Sequence, residues 1–137
     1  MYRKILVPVD LTHIDQLTKA LKSAVDLAKL YSLPVCYVGV TAETPTPVAH
    51  NPKEYAQKLA AFGAEQARAH GIEVTTKAYA RTDPAAQINE TLLQAISESQ
   101  ADLVVMASHV PNVVDYILPS HGGTVAKHSP ASVFLVR

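Results

Sequence analysis

The sequence predicts an α/β protein, a single doubly wound domain with a mostly parallel sheet and helices on both faces. Three observations carry this. Apolar or β-branched runs of strand length stand at residues 5–9, 35–40, 74–79 and 103–107, each bounded by turn residues, and a fifth, from Val133 to Val136, closes the chain. Stretches of helical periodicity separate the runs, and strictly alternating strands and helices mean βαβ units with right-handed crossovers. The length of 137 residues is enough for one well-packed core and too short for two.

The elements follow in order. After the first strand, Leu17, Leu21, Val25 and Ala28 recur at helical spacing and form one apolar stripe. Thr12 with Asp15 three residues on has the pattern of a capping box at that helix start, and Pro34 marks its end. The second helix is expected to begin with Asn51 as N-cap, Pro52 at N1 and Glu54 at N3, to bury Tyr55, Leu59 and Phe62, and to stop at Gly71. The third is expected to start at Asp83, with Pro84 at N1, and to bury Ile88, Leu92 and Ile96. Residues 41–51, with Pro45 and Pro47, are the longest irregular stretch; a plain surface connection is the favoured reading over a lid or a partner surface.

Composition narrows the functional classes. Lys plus Arg and Asp plus Glu both number 12, the net charge is zero with His neutral, and no basic block occurs, so nucleic acid is not expected as a partner. Cys36 is the single cysteine; it excludes an internal disulfide or a multi-cysteine zinc site and reads as a reduced, buried thiol. The chain runs directly into KILVPVD without a signal-like segment, and no stretch is apolar enough to span a bilayer. A soluble, cytoplasmic protein with no membrane association is the expectation. None of the six histidines forms an i, i+4 pair or has a cluster of Cys, Asp or Glu around it, so no metal site is expected.

The chemistry concentrates where strands end. In a doubly wound sheet the first and fourth strands lie side by side at the switch point, so Val9 and Asp10 share a crevice with Ala107 and Ser108. A carboxylate at Asp10 can accept from a ribose hydroxyl or hold magnesium through water; it can equally cap the turn at Leu11 and Thr12. The stretch Ser120, His121, Gly122, Gly123 reads as a helix start whose N–H groups and small residues admit a phosphate. His109 and His121 bracket the intervening loop, and Lys127 and His128 suit a helix C-terminus. GxSxG, GxxxxGK[ST] and GxGxxG are absent, and Asp10 lacks the acidic neighbour of a phosphoacceptor receiver.

Taken together, KILVPVD leading into a helix, VCYVGV, a helix opened by Asp83 and Pro84, ADLVVMASH and the closing VAKHSPASVFLVR resemble the universal stress protein family over essentially the full length, 1–137. The resemblance implies a five-stranded parallel sheet in a three-layer, adenine-nucleotide alpha-hydrolase-like fold. It also implies a homodimer through the last strand, Val133 to Val136, and a role in stress survival rather than a metabolic reaction. Many family members bind ATP through Gly, two residues, Gly, nine residues, Gly, then Ser or Thr. Here Ala107 and Val110 stand at the first two glycines; strict counting puts Ser120 and His121 in the last two places, and a one-residue deletion, which makes the chain similar to a shorter-loop subgroup and is the favoured alignment, puts Pro119 and Ser120 there. Carried over by position, Pro8, Asp10 and Val40 match the adenine and ribose side, and Ala107, His109, Ser120 and His121 the phosphate side.

These departures remove backbone freedom and one N–H donor, which lowers phosphate affinity by roughly ten- to a thousand-fold; Gly122 and Gly123 offset part of the loss. The expectation is a cytoplasmic dimer with a degenerate site for ATP or another adenine nucleotide, with Mg2+, and no rapid turnover. A slow ATPase lacks a general base other than His109. The alternative is an interaction module that binds no nucleotide and works through its dimer and loop surfaces on a protein partner the sequence does not identify.

Overall fold

The computed structural model describes residues 1–108 and 129–137. In chain order these form β1 (Ile5–Pro8), a 3₁₀ segment (Leu11–Leu17), α1 (Thr18–Tyr31), β2 (Val35–Ala42), α2 (Pro52–His70), β3 (Val74–Arg81), α3 (Ile88–Ser99), β4 (Leu103–Ala107) and β5 (Ser132–Val136). The strands make one parallel five-stranded sheet in the order β3-β2-β1-β4-β5. The chain winds outward from β1 in one direction through β2 and β3, then returns to the other side of β1 with β4, so the switch point falls between β1 and β4 as the alternation requires.

Strand alternation sends successive side chains to opposite faces, and each face has its own core. Ile5, Val7, Val9, Val35, Tyr37, Leu103 and Val105 pack with Leu17, Ala20, Ala24 and Ala28 and with Tyr55 and Leu59 of α2. Leu6, Cys36, Val38, Val104 and Met106 pack under Leu92, Ala95 and Ile96 of α3. The α1 stripe is centred slightly away from the expected one: Ala20 and Ala24 are buried while Leu21 is half-buried, because alanines let the helix lie close to the sheet. Cys36 is buried and unpaired, and burial pushes its thiol up. Tyr37 is fully buried and its ring meets Phe62 edge-on, with centroids 5.2 Å apart. Its hydroxyl has no partner among the described residues, and burial pushes its pKa up to about 12.

The second helix begins and ends where its sequence places it. Asn51 accepts from the Glu54 N–H at 2.8 Å, Pro52 opens the first turn, and Gly71 takes the left-handed conformation (φ 65°) that closes the helix. Two other helix starts differ. The Thr12 and Asp15 capping box does not form: the Asp10 carboxylate reaches the Thr12 N–H at 2.9 Å and the Asp10 carbonyl takes the His13 N–H at 3.1 Å. That tight closure winds the chain as 3₁₀ with a break at His13, and regular α-helix starts only at Thr18.

Asp83 does cap a turn, accepting from the Ala86 N–H at 3.2 Å while Gln87 Oε1 accepts from the Asp83 N–H at 3.0 Å. This exchange satisfies the turn by itself, and α3 begins after it at Ile88. The connection between β2 and α2 is a pinned turn: Thr46 Oγ1 accepts from the Val48 and Ala49 N–H groups, Ala49 is buried, and Lys58 donates to the Val48 carbonyl.

Candidate functional site

Hydrogen-bond direction along β1 opens the switch point. Ile5 donates to the Pro34 carbonyl at 3.0 Å and Val9 to the Val38 carbonyl at 2.8 Å, so the odd-numbered residues of β1 address β2. Leu6 and Pro8 therefore address β4. Proline has no N–H to donate, and the β1–β4 ladder stops at Leu6 and Val104 while β1–β2 continues to Pro8 and Val38. One residue type thus ends the pairing where a ligand crevice belongs, with Pro8, Val9 and Asp10 on one side and Ala107 and Ser108 on the other.

Asp10 is half-buried and already engaged. Its Oδ1 accepts from Thr12 N–H, and its Oδ2 lies 2.8 Å from His13 Nδ1. A carboxylate only accepts, so that ring nitrogen carries the proton in this pairing. The two readings that the sequence left open for Asp10, turn cap and ligand contact, are not exclusive, because a carboxylate offers about four acceptor directions and two are used here.

Gly39 and Tyr55 complete the floor on the β2 side. Extending the register from Pro8 and Val38 sets Val9 beside Gly39. The Tyr55 side chain, carried on the first turn of α2, lies flush on Gly39: a Cβ there would overlap the hydroxyl oxygen and stand 2.9 Å from Cε1, closer than real Cβ atoms come. The glycine is what lets the tyrosine reach the strand ends. Tyr55 is 4% exposed. Burial first, and then the negative charge of Asp10, push its phenol well above the usual tyrosine range, so at neutral pH the hydroxyl keeps its proton.

Val9 is buried in the core with its N–H held by Val38, while Pro8 and Val40 are half-buried and face the α3 side by strand alternation. Ala107 and Ser108 are buried, and the Ser108 N–H donates to the Val136 carbonyl at 2.8 Å. The structure thus gathers Pro8, Val9, Asp10, Val40, Ala107 and Ser108 at the carboxyl edge of neighbouring strands. His109, Ser120, His121 and Gly122, like Val110, Asp115, Pro119, Gly123, Lys127 and His128, lie outside the described residues.

Sequence reasoning missed His13 and gave Tyr55 only a packing role. A histidine three residues after a turn-capping aspartate was a usable signal for the first. For the second, the clue was a glycine inside an apolar strand, which marks a close approach. Among the described residues no group of three or more His, Cys, Asp or Glu side chains is placed to hold a metal ion, and no helix is long and apolar enough to cross a membrane.

A sequence profile of the Universal stress protein family matches residues 1–137. The chain belongs to the universal stress protein family. Solved structures bear this fold out. A universal stress protein family member from Burkholderia pseudomallei superposes with a TM-score of 0.70 at 20% identity, over 98% of this chain and 96% of that one. The universal stress protein from Archaeoglobus fulgidus in complex with dAMP gives 0.66 at 18% identity over 99% and 98%. A family member from Arabidopsis thaliana with AMP bound gives 0.67 at 13% identity over 98% and 90%.

Proposed function

We propose that this universal stress protein binds an adenine nucleotide such as ATP at the β1–β4 switch point, as a cytoplasmic homodimer acting in stress response by binding rather than turnover. The observation that carries the reading is the early end of the β1–β4 ladder at Leu6 and Val104, before Pro8, which sets Asp10 and Ser108 beyond the last paired residues at the carboxyl edge of the sheet. The dAMP and AMP complexes of the family members from Archaeoglobus and Arabidopsis support it. Among the described residues no group of three or more His, Cys, Asp or Glu side chains is placed to hold a metal ion, so Mg2+ would arrive on the phosphates rather than on a protein cage.

For the dimer, the support is β5, an edge strand whose Phe134 and Leu135 are 45% and 43% exposed. Exposed apolar strand edges are templates for pairing with a second chain. A second reading, an interaction module without nucleotide, is favoured by one specific observation: both Asp10 oxygens already hold internal partners. Thermal unfolding with and without magnesium-ATP separates the two. At about 100 times the dissociation constant, binding stabilises by about 2.7 kcal/mol, several degrees for a chain of this size. No shift at millimolar magnesium-ATP favours the interaction module.

A further inference from the structure

The Tyr55 hydroxyl is an anomaly for a core residue. The residue is 4% exposed, and none of the hydrogen bonds among the described residues involves its hydroxyl. Buried phenols nearly always find one, since an unsatisfied hydroxyl in an apolar setting is costly. Among the described residues the Tyr37 hydroxyl is sealed in the core without a partner, and that of Tyr55 is not one of these sealed oxygens. It sits over Gly39, beside the end of β1, close enough to Asp10 to feel its charge. Asn51 caps the helix and Glu54 and Lys58 tie its first turn to the preceding connection, so the ring stands on a fixed support.

We propose that Tyr55 is a specificity residue of the switch-point site, its hydroxyl donating to an acceptor atom of the bound nucleoside. The inference rests on the nucleotide reading above and deepens it. The chemistry is complementary: Asp10 can only accept and Tyr55 has a proton to give, so the pair reads a donor and an acceptor on one ligand face. The acceptor is either a ring nitrogen of the base or a ribose hydroxyl oxygen. Either binds the same proton, and deoxy analogues tell them apart. A guest that offers no acceptor there buries the hydroxyl unpaired and is rejected, the general basis of discrimination by polar sites.

The test is Tyr55→Phe, which keeps the ring on Gly39 and removes only the oxygen. In the free protein the melting temperature is expected to hold or rise, because no internal hydrogen bond is lost. Affinity for ATP, by titration calorimetry, is expected to fall roughly five- to a hundred-fold. A loss shared by ATP, 2′-deoxy-ATP and 3′-deoxy-ATP puts the acceptor on the base; a loss that vanishes with one deoxy analogue puts it on that ribose hydroxyl. Unchanged ATP affinity in Y55F, or a clear fall in the stability of the free variant, overturns the proposal while leaving the nucleotide reading intact. If the wild-type chain binds none of the three nucleotides, the nucleotide reading itself fails and takes this inference with it.

Discussion

Replacing Asp10 by alanine removes two interactions from one turn: the 2.9 Å bond from the Thr12 N–H and the 2.8 Å contact with His13. Loss of a side-chain cap costs about 1 kcal/mol. The histidine pair adds less than about 1 kcal/mol, because the two side chains are 21% and 32% exposed and solvent screens them. The sum, about 1.5 kcal/mol, lowers the melting temperature by roughly 5–8 °C for a chain of this length. Asparagine caps as well as aspartate, so Asp10→Asn should keep the larger part and lose under about 1 kcal/mol. Circular dichroism of thermal and urea unfolding at pH 7 measures both. If D10A melts with the wild type, or D10N falls as far as D10A, the assignment of Asp10 as the cap of this turn is wrong.

Three other outcomes follow from the same geometry. Asp102 accepts from the Arg3 N–H at 2.9 and 3.1 Å and from the Lys4 N–H at 3.1 Å; partial burial pushes its carboxyl up, but these donors and the Arg3 guanidinium outweigh it and hold it below the usual aspartate range. A lowered folded-state pKa stabilises above the unfolded value, about pH 4, and the benefit is lost as pH falls through the folded value. Asp102→Asn should therefore trail the wild type at pH 7 and converge with it in acid, and a gap that persists undiminished at pH 2 would contradict this. Leu59 is fully buried on the inner face of α2, so Leu59→Ala should cost about 2–5 kcal/mol in urea unfolding, whereas a loss under about 1 kcal/mol would mean the helix does not pack there. On the proposed pairing through the β5 edge, the wild type should sediment as a dimer and Phe134→Lys as a monomer; a wild type that is monomeric, or a variant that stays dimeric, would contradict that pairing.

How far the sequence carries depends on whether the signal is local. β1, β2 and β4 were legible because burial on both faces demands continuous apolar runs, and the edge strands β3 and β5 because β-branched and aromatic residues cluster between turn residues; the residue 35–40 run understated β2, which continues through Thr41 to Ala42. The second helix was legible because Asn51, Pro52 and Gly71 each have one conformational preference and all agree. The first helix start was misplaced because Asp10, two residues before the expected cap Thr12 and nearer the strand, closes the turn first. At the site, adjacency of the first and fourth strands followed from topology alone. The His13 contact and the packing of Tyr55 on Gly39 did not, since both depend on where side chains point after the helices dock.

The most direct test of the account is a magnesium-ATP titration of isotopically labelled protein followed by amide chemical shifts. The account predicts saturable changes focused on residues 8–13, 39–41, 55 and 107–108, the strand ends around the broken β1–β4 ladder. Saturable changes confined to other surfaces, or none at millimolar nucleotide, would contradict it.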